Sequence, residues 1–116
     1  MSSGDSVDAQ AKARELLHSI GAHARSSNQH RVGELSQAVA RVGRGELSAL
    51  DRERAVDVAH QLVGSAGTFG WQRASALARE VELFLRQADA PDPVQLAAAM
   101  RALALVEQDL SADPED

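Results

Sequence analysis

Cysteine and tyrosine are absent from this 116-residue sequence, and aromatic residues make up only 3% of it. The absence of cysteine excludes disulfides, thiolate metal sites and cysteine nucleophiles. The scarcity of aromatic residues argues against base-stacking surfaces for nucleic acids. The sequence also lacks both a run of about 18 apolar residues and the basic and apolar regions of a signal peptide. We therefore expect a cytoplasmic protein with no membrane segment.

The charge balance is acidic, with 17 Asp and Glu against 12 Lys and Arg and a net charge of −5. Binding to nucleic-acid phosphates needs a basic face, so nucleic acid is not expected as a partner. Abundant alanine and the lack of β-branched runs favour helices.

Five helical patterns with short connections predict an all-α protein, an up-down four-helix bundle with an additional N-terminal helix. We expect an N-terminal helix or capping segment over residues 1–27, the bundle over 28–110 and a frayed acidic tail over 111–116. The capped start and short tail suggest a small freestanding chain.

The first helix is expected to begin near Val7, capped by Asp5 or Ser6. A polar run over residues 25–29 favours a break near residues 25 to 28, although the apolar phase could continue to Val42 as one helix. The apolar spacing of the first pattern predicts one buried face, formed by Ala13, Leu16, Leu17, Ile20 and Ala24.

Local signals predict the other helix ends. Gly43-Arg44-Gly45 closes the second pattern, Ser48 to Asp51 resembles a capping box, and Asp92-Pro93 begins the last helix. Phe69 and Trp71 are expected to plug one end of the bundle. In the helix after Trp71 we expect a core face of Ala74, Leu77, Ala78, Val81, Phe84, Leu85 and Ala88, and in the last helix Leu96, Ala97, Met100, Leu103, Ala104, Val106 and Leu110.

Residues 59–70 place His60 in a helix and follow it with Gly64, Gly67 and Gly70. Glycine costs about 1 kcal/mol relative to alanine inside a helix, so two glycines one turn apart need a reason. At about 100° per residue, His60 points away from the apolar face, and Gly64 and Gly67 lie within about 40° of it. The histidine therefore faces outward beside bare backbone that a partner can approach. The apolar face consists of Ala55, Val58, Ala59, Leu62, Ala66 and Phe69.

This stretch resembles the histidine-containing phosphotransfer (HPt) domain, whose signature is His-x-Leu-Lys-Gly followed after five residues by Gly. His60, Leu62, Gly64 and Gly70 fill those places. The resemblance implies that His60 accepts a phosphoryl group from the aspartyl phosphate of a response-regulator receiver domain and passes it to another receiver. It also implies a hybrid sensor kinase as a partner and a monomeric chain. No cofactor is expected here, because Mg²⁺ belongs to the receiver. The chain has no phosphate-binding Gly-x-x-x-x-Gly-Lys-Ser/Thr loop, so no ATP-dependent kinase activity is expected.

One position departs from the signature, because Val63 replaces the lysine that can help hold the phosphoryl oxygens. This replacement is the best support for an alternative function, a non-phosphorylated adaptor that docks receiver domains. No metal site is expected, since His18, His23 and His30 lack the i, i+4 spacing of helical sites. The residues expected to contact a partner are Glu53, Val56, Asp57, Gln61, Val63, Gly64, Gly67 and Arg79.

Overall fold

A computed structural model of the protein describes residues 3–87 and 89–114, with side chains described from residue 6 onward. It contains four helices, α1 (Ser3–Gly43), α2 (Ala49–Thr68), α3 (Gln72–Gln87) and α4 (Pro93–Leu110). The helices pack in a ring, in which α2 contacts α1 and α3, and α4 contacts α3 and α1. No strand occurs in the described residues. The prediction of an all-α four-helix bundle is confirmed.

Side-chain caps and glycines define the helix ends where the sequence predicted them. The Ser48 hydroxyl accepts a hydrogen bond from the backbone N–H of Asp51, and the Asp92 carboxylate accepts one from Gln95. Gly45 and Gly70 have φ values of +67° and +92°, a region that glycine adopts without steric cost. The two cap hydrogen bonds define the starts of α2 and α4, and the two glycines form the turns before α2 and α3.

The predicted break near residues 25 to 28 is wrong, because α1 is one continuous helix. Asn28, in the middle of the polar run, is fully buried. Its side-chain amide donates to the Ser65 hydroxyl of α2 and accepts from Arg31. A buried polar group with its hydrogen bonds made is compatible with a core position. The predicted start is also wrong, because Ser6 already lies inside the helix.

The N-terminal arm, residues 6–23 of α1, extends about 27 Å beyond the bundle. The buried face predicted for it is wrong, because Leu16, Leu17 and Ile20 are exposed and only Ala24 is buried. Arg25 already contacts the end of α4 through the Ala112 carbonyl. No other described helix extends alongside the arm, which accounts for the 67 Å length of the molecule.

The buried face of α4 differs from the prediction. Met100, Ala97 and Ala104 are exposed, whereas Ala99 and Ala102 are buried. Because α4 carries alanines on several sides, its sequence offers more than one apolar stripe. The buried residues of this helix are Ala99, Ala102, Leu103, Val106 and Leu110.

In α3, Ala74, Ala78, Val81 and Leu85 are buried as predicted, and Leu77 and Phe84 are partly buried against the core. Ala88 lies outside the described residues.

Trp71 closes one end of the bundle, as predicted, and Phe69 packs against the core beside it. The Trp71 indole N–H donates to the Ala112 carbonyl, and the Arg25 guanidinium lies 5.5 Å from the centre of the indole ring. Arg25 also forms an ion pair with Asp113 at 3.0 Å. The start of the acidic tail therefore contacts the bundle, and its fraying stays a prediction. Residues 115 and 116 lie outside the description.

Within the described part of the chain, no helix is both long enough and apolar enough to cross a membrane.

Candidate functional site

His60 lies in the middle of α2 with 70% of its side chain exposed to solvent. Its neighbours Ala59 and Leu62 are completely buried, so the helix turns its apolar face inward and the imidazole outward. The prediction that this histidine faces outward is confirmed.

The imidazole of His60 contacts the side chain of Glu82 on α3. The Glu82 side chain is only 7% exposed, and each carboxylate oxygen lies 3.4 Å from the Nδ1 atom of His60. An ionised carboxylate can only accept hydrogen bonds, so a hydrogen bond across this contact has Nδ1 of His60 as its donor. In the neutral ring this leaves the lone pair on Nε2. The contact therefore favours the tautomer whose unprotonated nitrogen is Nε2.

Arg86, one turn further along α3, forms the second partner of the same carboxylate. Its guanidinium donates two hydrogen bonds to Glu82 Oε2, at 2.8 and 3.2 Å. Burial raises the pKa of the Glu82 carboxyl, but the hydrogen bonds from Arg86 and His60 and their charges outweigh it and lower this pKa below its usual value. Glu82 is thus a stable buried anion that joins the histidine to a cation.

The three glycines after His60 have different structural roles. A Cβ atom added to Gly64 would have no neighbour within 4 Å, whereas one added to Gly67 would lie 3.3 Å from the Ser75 hydroxyl of α3. Gly70 forms the turn into α3. Gly67 therefore serves close packing of α2 on α3, which corrects the expectation that it belongs to the open strip. Gly64 is exposed, one turn from His60, and the chain's own packing does not require it.

Two residues expected to contact a partner are in the core. Val63 is 8% exposed and Val56 is 9% exposed. Because α2 packs against both α1 and α3, its buried face is wider than the single stripe read from the sequence. The expectation that Val63 offers an apolar contact to a partner is therefore wrong. Besides the two glycines, the other expected contact residues are exposed, namely Glu53, Asp57, Gln61 and Arg79.

Comparison with known families adds a finding independent of this geometry. The family model described as Hpt domain matches residues 22–112, which is most of the chain. The chain belongs to the Hpt domain family. It is therefore a histidine phosphotransfer module of a phosphorelay, of the kind that interacts with response-regulator receiver domains and kinases and is not itself a kinase. Searches of curated proteins and of solved structures each found no match.

The sequence reasoning missed two residues of this Hpt domain, Glu82 and Arg86. A signal for Glu82 was present, because it falls within the apolar stripe of α3, between Val81 and Leu85. A charged residue in such a stripe needs a partner, and Arg86 at i+4 is the natural one. Nothing in the sequence, however, indicates that this pair lies against His60, because the contact joins residues 22 apart across two helices.

The other histidines of the chain lie away from this site. His30 pairs with Glu34 at 3.0 Å within α1, and His18 and His23 are exposed on the N-terminal arm. Among the described residues, no group of three or more His, Cys, Asp and Glu side chains lies close enough together to hold a metal ion.

Proposed function

We propose that this Hpt domain is a phosphorelay intermediate that accepts a phosphoryl group on Nε2 of His60 from the aspartyl phosphate of one receiver domain and passes it to another. The observation that carries the proposal is the exposed imidazole whose Nδ1 is held by the buried Glu82 carboxylate. This arrangement leaves one nitrogen free, oriented outward and unprotonated in the neutral ring.

The phosphoryl transfer needs no reactant other than the imidazole of this chain and the aspartyl phosphate of the receiver. The Nε2 lone pair forms a bond to phosphorus while the bond from phosphorus to the aspartyl oxygen breaks, and the carboxylate leaves with that electron pair. Nδ1 keeps its proton throughout. The phosphorylated ring then carries a positive charge, and the Glu82 carboxylate at 3.4 Å stabilises it. The return step to a second receiver is the reverse reaction.

Arg86 of α3 supports the proposal, because it supplies a positive charge near His60 in a chain whose signature lysine is replaced by Val63. Val63 cannot assist the phosphoryl oxygens, because it is apolar and buried. Arg86 reaches the neighbourhood of His60 through their shared carboxylate, with 53% of its side chain exposed. Phosphoryl transfer depends mainly on positioning and on stabilisation of the oxygens' negative charge. We assign that charge to Arg86 in this chain, with Mg²⁺ contributed by the receiver.

Gly64 and the exposed polar residues form the proposed contact surface for a receiver. Glu53, Asp57, His60 and Gly64 recur at spacings of four, three and four residues along α2, which places them on one face of the helix. Gln61 and Arg79 flank this face. The partners proposed are cytoplasmic receiver domains, with a hybrid sensor kinase upstream.

The experiment is incubation of the chain with receiver domains phosphorylated on aspartate. We expect a base-stable, acid-labile label on this protein that disappears in His60→Gln. The matched control is a triple variant, His18→Gln, His23→Gln and His30→Gln, which should label like the native protein. Receiver binding without any label would instead support the adaptor alternative, which the replacement of the signature lysine by Val63 favours.

A further inference from the structure

A receiver that closes over His60 needs an apolar contact, because water must be kept from reactive phosphoryl bonds during transfer. The sequence offered Val63 for this contact, and Val63 is buried. The large exposed apolar side chains of the described residues are few, and most of them lie far from His60. Four are on the N-terminal arm, Val94 and Met100 are on α4, and Leu50 is about 15 Å along α2.

Of the large exposed apolar side chains in the described residues, Leu83 is the one left, and it directly follows Glu82, which contacts His60. Half of its surface is exposed. At about 100° per residue, the side chains around α3 follow in a fixed angular order, starting from the buried Leu85: Glu82, Arg86, Arg79 and Leu83. The two arginines are its i+3 and i−4 neighbours, so their Cβ atoms lie about 5 to 6 Å from that of Leu83.

Leu83 also lies level with His60 along the bundle. Gly67 faces Ser75, His60 faces Glu82, and Arg52 pairs with Asp89, so α2 and α3 run antiparallel with a constant register. In that register the α3 residues beside His60 are those around Glu82 and Leu83. The leucine therefore lies level with the imidazole, on the outer side of α3 beyond Arg86 and Arg79. The acidic stripe of Glu53 and Asp57 continues from the imidazole on α2.

We propose that Leu83 is the apolar anchor of receiver docking in this Hpt domain, which rests on the phosphotransfer function proposed above. The partner it fits is a receiver whose surface presents an apolar side chain toward α3 and basic groups toward Glu53 and Asp57. Leu83 acts by holding the receiver in place. It takes no part in the chemistry of the ring, because the hydrogen bonds of His60 do not involve it.

The experiment compares Leu83→Ala and Leu83→Glu with Met100→Ala. Met100 is the matched control, because it is an apolar side chain with similar exposure, 53%, on α4, which packs against α1 and α3. Two phosphodonors are used with every variant. One is a phosphorylated receiver domain, and the other is phosphoramidate, a small donor that needs no docking surface. Circular dichroism verifies that each variant is helical.

We expect Leu83→Ala to raise the receiver concentration for half-maximal transfer by roughly three- to tenfold, and Leu83→Glu to raise it further. Met100→Ala should stay within about twofold of the native value, and phosphoramidate should label all of them equally. Native-like transfer from the receiver in both Leu83 variants would overturn the proposal. Equal loss with both donors would also overturn it, because Leu83 would then support the ring or the fold. If phosphoramidate labels the native protein and no receiver does, it is the proposed phosphotransfer function that fails.

Discussion

Gly64→Ala should make this Hpt domain more stable and less active. A Cβ atom at this position meets nothing within 4 Å, and the residue lies inside α2 without a positive φ. The substitution therefore gains the full helix propensity of alanine, about 1 kcal/mol, with no steric cost inside the molecule. For a domain of this size that gain corresponds to a rise in Tm of about 4 °C.

The loss of activity arises in the complex. The added methyl group lies one turn from His60, on the surface that we propose the receiver covers. A displacement of about 1 Å between reacting groups can cost up to a hundredfold in rate, so we expect transfer from a receiver to fall by roughly tenfold or more. Labelling by phosphoramidate should be unchanged, since this donor is small.

Thermal denaturation and a time course of transfer measure the two effects. Gly33→Ala is the control for stability, because Gly33 is another exposed helical glycine with nothing within 4 Å of an added Cβ atom. It should raise Tm similarly and leave transfer unchanged. Gly67→Ala should gain less, since its Cβ atom would lie 3.3 Å from the Ser75 hydroxyl. Native-like transfer by Gly64→Ala would refute the proposal that the receiver packs closely against Gly64. A lower Tm for this variant would refute the argument that alanine stabilises α2 at this position.

Three further substitutions test the groups around the site. Glu82→Gln should remove the pH dependence of stability that comes from this carboxyl. The lowered pKa of Glu82 stabilises the native protein above about pH 4.3, the usual pKa of unfolded glutamate, and this stability is lost as the pH falls through the lower folded pKa. The unfolding free energies of the variant and the native protein, measured against pH, should therefore converge in acid. Arg86→Ala should slow transfer from a receiver by roughly tenfold, measured at saturating receiver, while His60 still becomes labelled. Asn28→Ala should lower the unfolding free energy by about 1–3 kcal/mol in denaturant titrations, since it leaves Ser65 without its buried partner; a change below about 0.3 kcal/mol would contradict that view of the α1–α2 contact.

Short-range features of the fold were predictable from the sequence. The caps at Ser48 and Asp92 and the turns at Gly45 and Gly70 depend on neighbouring residues, and they occur where the sequence placed them. The break predicted in α1 was based on the polar run over residues 25–29, in which Asn28 is buried. Its actual partner, Ser65, is 37 residues away, so a long-range contact overrode the local pattern.

The features of the candidate site also separate into those set within one helix and those set by packing between helices. The outward orientation of His60 and the open backbone at Gly64 follow from helix geometry within α2 alone. Glu82 could not be assigned to His60 from the sequence, because the contact depends on the register between α2 and α3. The burial of Val63 has the same origin, since the second neighbour of α2 covers a side that helix periodicity alone leaves open.

Position-resolved NMR of the isotopically labelled, phosphorylated protein tests the central claim most directly. The contact between Glu82 and Nδ1 predicts a single phosphoryl group, attached to Nε2 of His60, with a proton retained on Nδ1. Phosphorus bound to Nδ1 of His60, or to any other histidine, would contradict the account.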